Sequence, residues 1–108
     1  MRPVFRQGDV VLRKRAKEEL FIWDLKALSE GENKVAERLE ISGETGKVHV
    51  LEAPVHRSWN GSLLVVLDEP KVLQHPDHEP IVIPPGIYEV VRARSEVGLF
   101  GRSRVAYD

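Results

Sequence analysis

Turn-forming residues punctuate this chain so densely that little beyond short extended segments fits between them. Over the last third, Lys71-Val72-Leu73-Gln74-His75 runs into Pro76-Asp77, and Pro80-Ile81-Val82-Ile83 runs into Pro84-Pro85-Gly86. Ile87-Tyr88-Glu89-Val90-Val91-Arg92-Ala93-Arg94 then follows. Proline lacks the N–H a ladder needs, and glycine reaches dihedral angles closed to other residues, so each such cluster closes one strand and starts the next. Within the runs, apolar and polar residues alternate as they do when successive side chains point to opposite faces of a sheet. Turn signals recurring about every 8–12 residues predict a mainly β protein. The expected architecture is a small single-domain β-barrel or sandwich over residues 1–108, with about six to eight short strands and at most one short helix.

The same reading extends towards the N-terminus. Val4-Phe5-Arg6-Gln7-Gly8-Asp9 reads as a turn leading into a strand at Val10-Val11-Leu12-Arg13, with Asp9 able to bond backbone N–H groups where the strand begins. Phe21, Leu25 and Leu28 lie on a helical stripe, so a short helical turn is expected near 24–29. Leu20-Phe21-Ile22-Trp23 is expected as a strand or irregular entry, with Phe21 and Trp23 in the core. Ser42-Gly43-Glu44-Thr45-Gly46 predicts the turn of a hairpin whose second strand, Lys47–Glu52, puts Val48 and Val50 on one face and Lys47, His49 and Leu51 on the other. Ala53 to Trp59 reads as a connection, and Asn60-Gly61 as a type I′ hairpin turn. Leu63-Leu64-Val65-Val66-Leu67 reads as a strand buried on both faces, and Arg104-Val105-Ala106-Tyr107 as an edge strand.

Composition narrows the function classes. The chain has no cysteine, which removes disulfides, thiolate nucleophiles and cysteine-held metals. No run approaches the roughly 18 apolar residues of a membrane-spanning helix, and Met1–Asp9 lacks a signal-peptide core, so a cytoplasmic protein without a membrane role is expected. The net charge of −1 is unevenly spread, with basic termini and an acidic middle. Were the termini adjacent, Arg2, Arg6, Arg13, Lys14, Arg15, Lys17, Arg92, Arg94, Arg102 and Arg104 would form a basic patch able to meet phosphates.

Arg6-Gln7-Gly8-Asp9-Val10, Glu44-Thr45-Gly46-Lys47-Val48-His49 and His75-Pro76-Asp77-His78-Glu79-Pro80-Ile81-Val82-Ile83-Pro84-Pro85-Gly86-Ile87-Tyr88 occur in that order. Together they resemble a family of short, uncharacterised bacterial and phage proteins. In that family's pattern the middle piece reads Thr-Gly-His-x-His. Here Lys47 replaces the first histidine and sets a cation beside the second, His49. The resemblance implies a compact β-rich fold and carries no established activity.

Histidine chemistry offers the sharpest functional expectation. His49, His75 and His78, with Asp77 or Glu79 as a fourth ligand, make an imidazole–carboxylate set suited to zinc or a similar divalent ion. A His-x-x-His spacing outside a helix sets no geometry, and the plainer expectation is that His78 and Asp77 bond the backbone around the Pro76-Asp77 turn while His75 caps a strand end. Lys47, Arg92 and Arg94 are the candidate cationic binding residues. A nucleic-acid module would add stacking on Trp23, Trp59, Phe100 and Tyr107, and exposed strand edges would allow self-association. The chain has no nucleophile elbow and no complete phosphate loop. Ser42, Thr45 and His49 as nucleophiles and base would be an exception to the usual backbone-bonding role of turn hydroxyls. The expected function is therefore a non-enzymatic binding, interaction or structural module, with divalent-metal binding and nucleic-acid binding as the alternatives.

Overall fold

β-Branched and aromatic residues fill the chain's extended segments, and the computed structural model, which describes residues 3–42 and 46–92, folds them into ten strands in two antiparallel sheets. The first sheet contains β1 (Val4–Gln7), β2 (Val10–Arg15), β3 (Lys34–Ala36), β6 (Val55–Arg57), β7 (Leu63–Leu67) and β10 (Gly86–Arg92), ordered β1-β2-β10-β7-β6-β3. The second contains β4 (Leu39–Ser42), β5 (Val48–Leu51), β8 (Lys71–His75) and β9 (His78–Ile83), ordered β4-β5-β8-β9. The mainly β expectation holds, but as two open sheets rather than a closed barrel. The strands outnumber the six to eight expected because several are only three or four residues long.

Alternation places the core. Leu12, Val55, Val65, Leu67, Tyr88 and Val90 from the first sheet meet Leu39, Leu51, Leu73 and Ile83 from the second in one buried cluster. Tyr88 is fully buried, packs edge-on against Phe5, and donates its hydroxyl to the Pro84 carbonyl at 2.8 Å. Burial holds the phenol's pKa above its ordinary value. On β9, Ile83 points inward and Val82 outward. Pro80 is tolerated there because β9 is a sheet edge.

Several local expectations need correction. Val4–Gln7 is a strand, which Gly8-Asp9 joins to β2 in the register Gln7↔Val10. The Ala53–Trp59 connection contains β6, which pairs with β7. Asn60-Gly61 is not the central pair of a two-residue turn: the Gly61 N–H bonds the Ser58 carbonyl, which centres the turn on Trp59-Asn60 and leaves Gly61 at φ 91°. Leu20–Trp23 is not a strand; a 3-10 turn at Lys17–Glu19 leads into α1 (Ile22–Glu30), which ends at Gly31 with φ 72°. Phe21 and Trp23 are more than half exposed and do not join the core. The helix instead buries Ala27, with Leu25 and Leu28 partly buried, and Asp24, which accepts hydrogen bonds from the Ser58 hydroxyl and the Trp59 N–H at 2.9 and 3.0 Å. The Ser42–Gly46 turn falls partly, and the Arg104–Tyr107 strand wholly, outside the described residues.

Candidate functional site

The three predicted imidazoles converge at the seam between the sheets. His75 and His78 are the two ends of the Pro76-Asp77 hairpin turn and pair across it, so the His-x-x-His spacing brings two rings to one side of a β-ribbon. Their centroids are 4.7 Å apart. His49 arrives from β5, where alternation turns it inward beside Leu51. Its centroid is 4.2 Å from that of His75 and 5.8 Å from that of His78. His49 and His75 are buried and His78 is exposed.

The β1–β2 hairpin supplies the rest of the pocket, which the sequence reading missed. Gly8 sits at φ 61° directly beneath the rings, and a side-chain Cβ there would lie 2.7 Å from His78 Nε2 and 3.3 Å from His49 Cε1. Asp9 faces His49, with Oδ1 3.6 Å from Nε2. Gln7, also buried, reaches across from the first sheet: its side-chain amide nitrogen donates to the backbone carbonyls of Leu73 and Glu79, both at 2.9 Å.

Partner chemistry settles where the imidazole protons lie. Both partners of the Gln7 nitrogen are carbonyls, so its Oε1 is the atom that meets His49 Nδ1 at 2.9 Å. An amide oxygen can only accept, hence Nδ1 of His49 carries a proton. The remaining ring nitrogen, Nε2, is directed at Asp9. His75 is held in the opposite tautomer. Its Nδ1 accepts the Asp77 backbone N–H at 3.0 Å, so the ring proton is on Nε2. His75, expected only to cap the strand end, is thus a histidine that bonds this turn's backbone, a role expected of His78 and Asp77.

The other predicted residues stand further out. Asp77 Oδ1 meets Lys47 Nζ at 3.2 Å, both about half exposed at the rim. Arg92 ends β10, and its backbone pairs with Val10 beside the Gly8-Asp9 turn. Arg94 lies outside the described residues, as do Phe100 and Tyr107. Among the described residues, no group of three or more His, Asp and Glu side chains is disposed to hold a metal ion. No described helix is long and apolar enough to cross a membrane.

The profile of a domain of unknown function, DUF8820, matches residues 6–93. The chain belongs to the DUF8820 family. The DUF8820 region runs from Arg6 in β1 to just past Arg92, the end of β10, and so takes in every pocket residue named above. No curated protein matches the chain, and no solved structure does.

A second surface is apolar. Phe21 and Trp59 contact edge-to-face with centroids 4.7 Å apart, and Ile22 and Trp23 stand exposed nearby on α1. Beneath them is a cleft of about 80 Å³ lined by Arg15, Glu19, Asp24, Leu64 and Glu89 among others. Arg15 lies 2.7 Å from Glu89 and 3.5 Å from Glu19, and Arg13 lies 3.8 Å from Glu89. These carboxylates offset the β2 cations counted in the basic patch.

Proposed function

We propose that this chain is a non-enzymatic binding module whose ligand site is the imidazole pocket over Gly8. The observation that carries the reading is the convergence of His49, His75 and His78 with Asp9 at one edge of an otherwise apolar interior. Burying imidazoles costs stability unless their hydrogen bonds are met, and here Gln7 and the Asp77 N–H are spent on orienting two of them. Two rings held in defined tautomers beside a third suit ligand binding better than core filling, which aliphatic residues achieve without the polar cost.

Histidine-labelled protein, followed by NMR while small metabolites, divalent ions and a short single-stranded oligonucleotide are added in turn, tests this reading. The expected result is a ligand that shifts the His49, His75 and His78 ring signals together. Silence of all three rings, with shifts confined to the Phe21–Trp59 face or to β2, overturns it.

The exposed set Phe21, Ile22, Trp23 and Trp59 supports a second reading, that α1 presents a contact surface for self-association. Light scattering of the chain and of Ile22→Lys tests it: a concentration-dependent dimer lost in the variant supports self-association, and a monomer throughout refutes it.

The carboxylates around Trp59 favour nucleic acid less, because they oppose a phosphate backbone at the ring that would stack on bases.

A further inference from the structure

We propose that the pocket takes a divalent transition-metal ion of zinc's class, held by His49 Nε2, the Asp9 carboxylate and His78. The inference rests on the imidazole pocket being the ligand site and names the ligand. It also redraws the ligand set, since His75 and Asp77 drop out and Asp9 enters.

Hydrogen-bond chemistry selects the set. An imidazole that binds a metal through one nitrogen characteristically donates the other N–H to an oxygen acceptor that fixes its tautomer and orientation. His49 has that arrangement: Nδ1–H meets Gln7 Oε1, itself held by two backbone carbonyls, and Nε2 points at Asp9. His75 has the reverse arrangement, with Nδ1 engaged by the Asp77 N–H and Nε2 protonated, so it does not ligate without giving up the turn's bond. Asp77 is committed to Lys47 at the rim.

Distances agree. Two ligands each about 2.0–2.2 Å from a tetrahedral ion stand about 3.3–3.6 Å from one another. The separation of His49 Nε2 and Asp9 Oδ1 is 3.6 Å. His78 completes the set by a side-chain rotation on its exposed turn. In the ion-free chain three ligands are not yet disposed around one point, and His78 Nε2 already lies against Gly8 on the side where His49 closes over it. Two imidazoles and one carboxylate leave room for water on the ion and form a borderline nitrogen–oxygen set suited to zinc, cobalt or nickel rather than to calcium or magnesium.

Calorimetry with zinc chloride on the full chain, in buffers of different ionisation enthalpy, tests the proposal, with cobalt chloride as a spectroscopic probe. One ion per chain, release of protons on binding, weakening on acidification and a visible cobalt band of low coordination number are expected. Asp9→Asn and His78→Ala each weaken binding at least about tenfold, and Gln7→Leu weakens it about 10–100-fold by releasing His49. His78→Ala alters only an exposed turn residue and keeps the test valid should the buried variants unfold. If zinc and cobalt fail at micromolar concentration while another ligand still shifts the three rings, the metal proposal falls and the pocket reading stands. If nothing shifts the rings, both fall. If zinc binds equally to wild type and Asp9→Asn but is lost in His75→Gln, the ligand set assigned here is wrong.

Discussion

Gly8 answers two separate demands, and they are separable by mutation. Its φ of 61° costs a residue with a Cβ about 1–2 kcal/mol. The Cβ would also press on the ring of His78, which is exposed and able to swing away. Gly8→Ala is therefore expected to lower stability in urea unfolding by about 1–2 kcal/mol, with the His78 signal displaced away from His49. Adding His78→Ala leaves the stability loss nearly unchanged; full recovery would show that the clash, not the backbone, was the cost. Gln7 carries more. Gln7→Leu strips the Leu73 and Glu79 carbonyls and the His49 N–H of their shared partner. Each buried group left unmet costs about 1–3 kcal/mol, so a loss of at least about 2 kcal/mol is expected in the same measurement.

Individual elements show how far local sequence reaches. The β8, β9 and β10 strands were legible because Pro76-Asp77 and Pro84-Pro85-Gly86 bracket clean alternation, and the pairing of His75 with His78 follows from two-residue turn geometry. β1 and β6 were not legible. They are four- and three-residue strands whose extended form comes from pairing with β2 and β7, which local composition does not encode. The site divides in the same way. Its histidines could be nominated from residue type, whereas Gln7 acts on backbone 66 and 72 residues away, and no periodicity reports such a contact. In α1, the bulk of Phe21 and Trp23 suggested core, yet both are exposed, and the buried residues are Ala27 and Asp24, whose carboxylate bonds the helix to the β6–β7 loop. Asp24→Ala should accordingly cost about 2–4 kcal/mol, since hydrogen bonds to a charged group are worth about 1.5–3 each and do not add fully. Hydrogen exchange should show protection lost first in Ile22–Glu30; uniform loss across both sheets would mean that the helix does not open as a unit.

Across the molecule, two carboxamide–imidazole pairs tie elements that sequence separates, and the pair away from the pocket makes the fold sensitive to acid. Asn33 donates its side-chain nitrogen to the Arg57 carbonyl and turns its oxygen to His56 Nδ1 at 2.9 Å, which joins the segment before β3 to β6. Burial lowers the His56 pKa below its ordinary 6.5, and the charge of Lys34, its register partner, lowers it further. The sign follows from which state binds the proton more readily. An unfolded His56 protonates near the ordinary value, whereas the folded ring resists, so the unfolded chain gains protons first as pH falls. The His56 contribution is complete above about pH 6.5, declines as pH drops towards the folded pKa, and is constant below it. Lys34→Met removes a charge that disfavours His56 protonation, so its folded pKa should rise towards the ordinary value. The acid-side loss of stability between about pH 7.5 and about pH 5 should shrink relative to wild type. Urea midpoints across that window, with the His56 ring signal titrated by NMR in both proteins, give the answer. A His56 midpoint at or above the ordinary histidine value in the wild type would refute this assignment, and an unchanged slope in Lys34→Met would take Lys34 out of it.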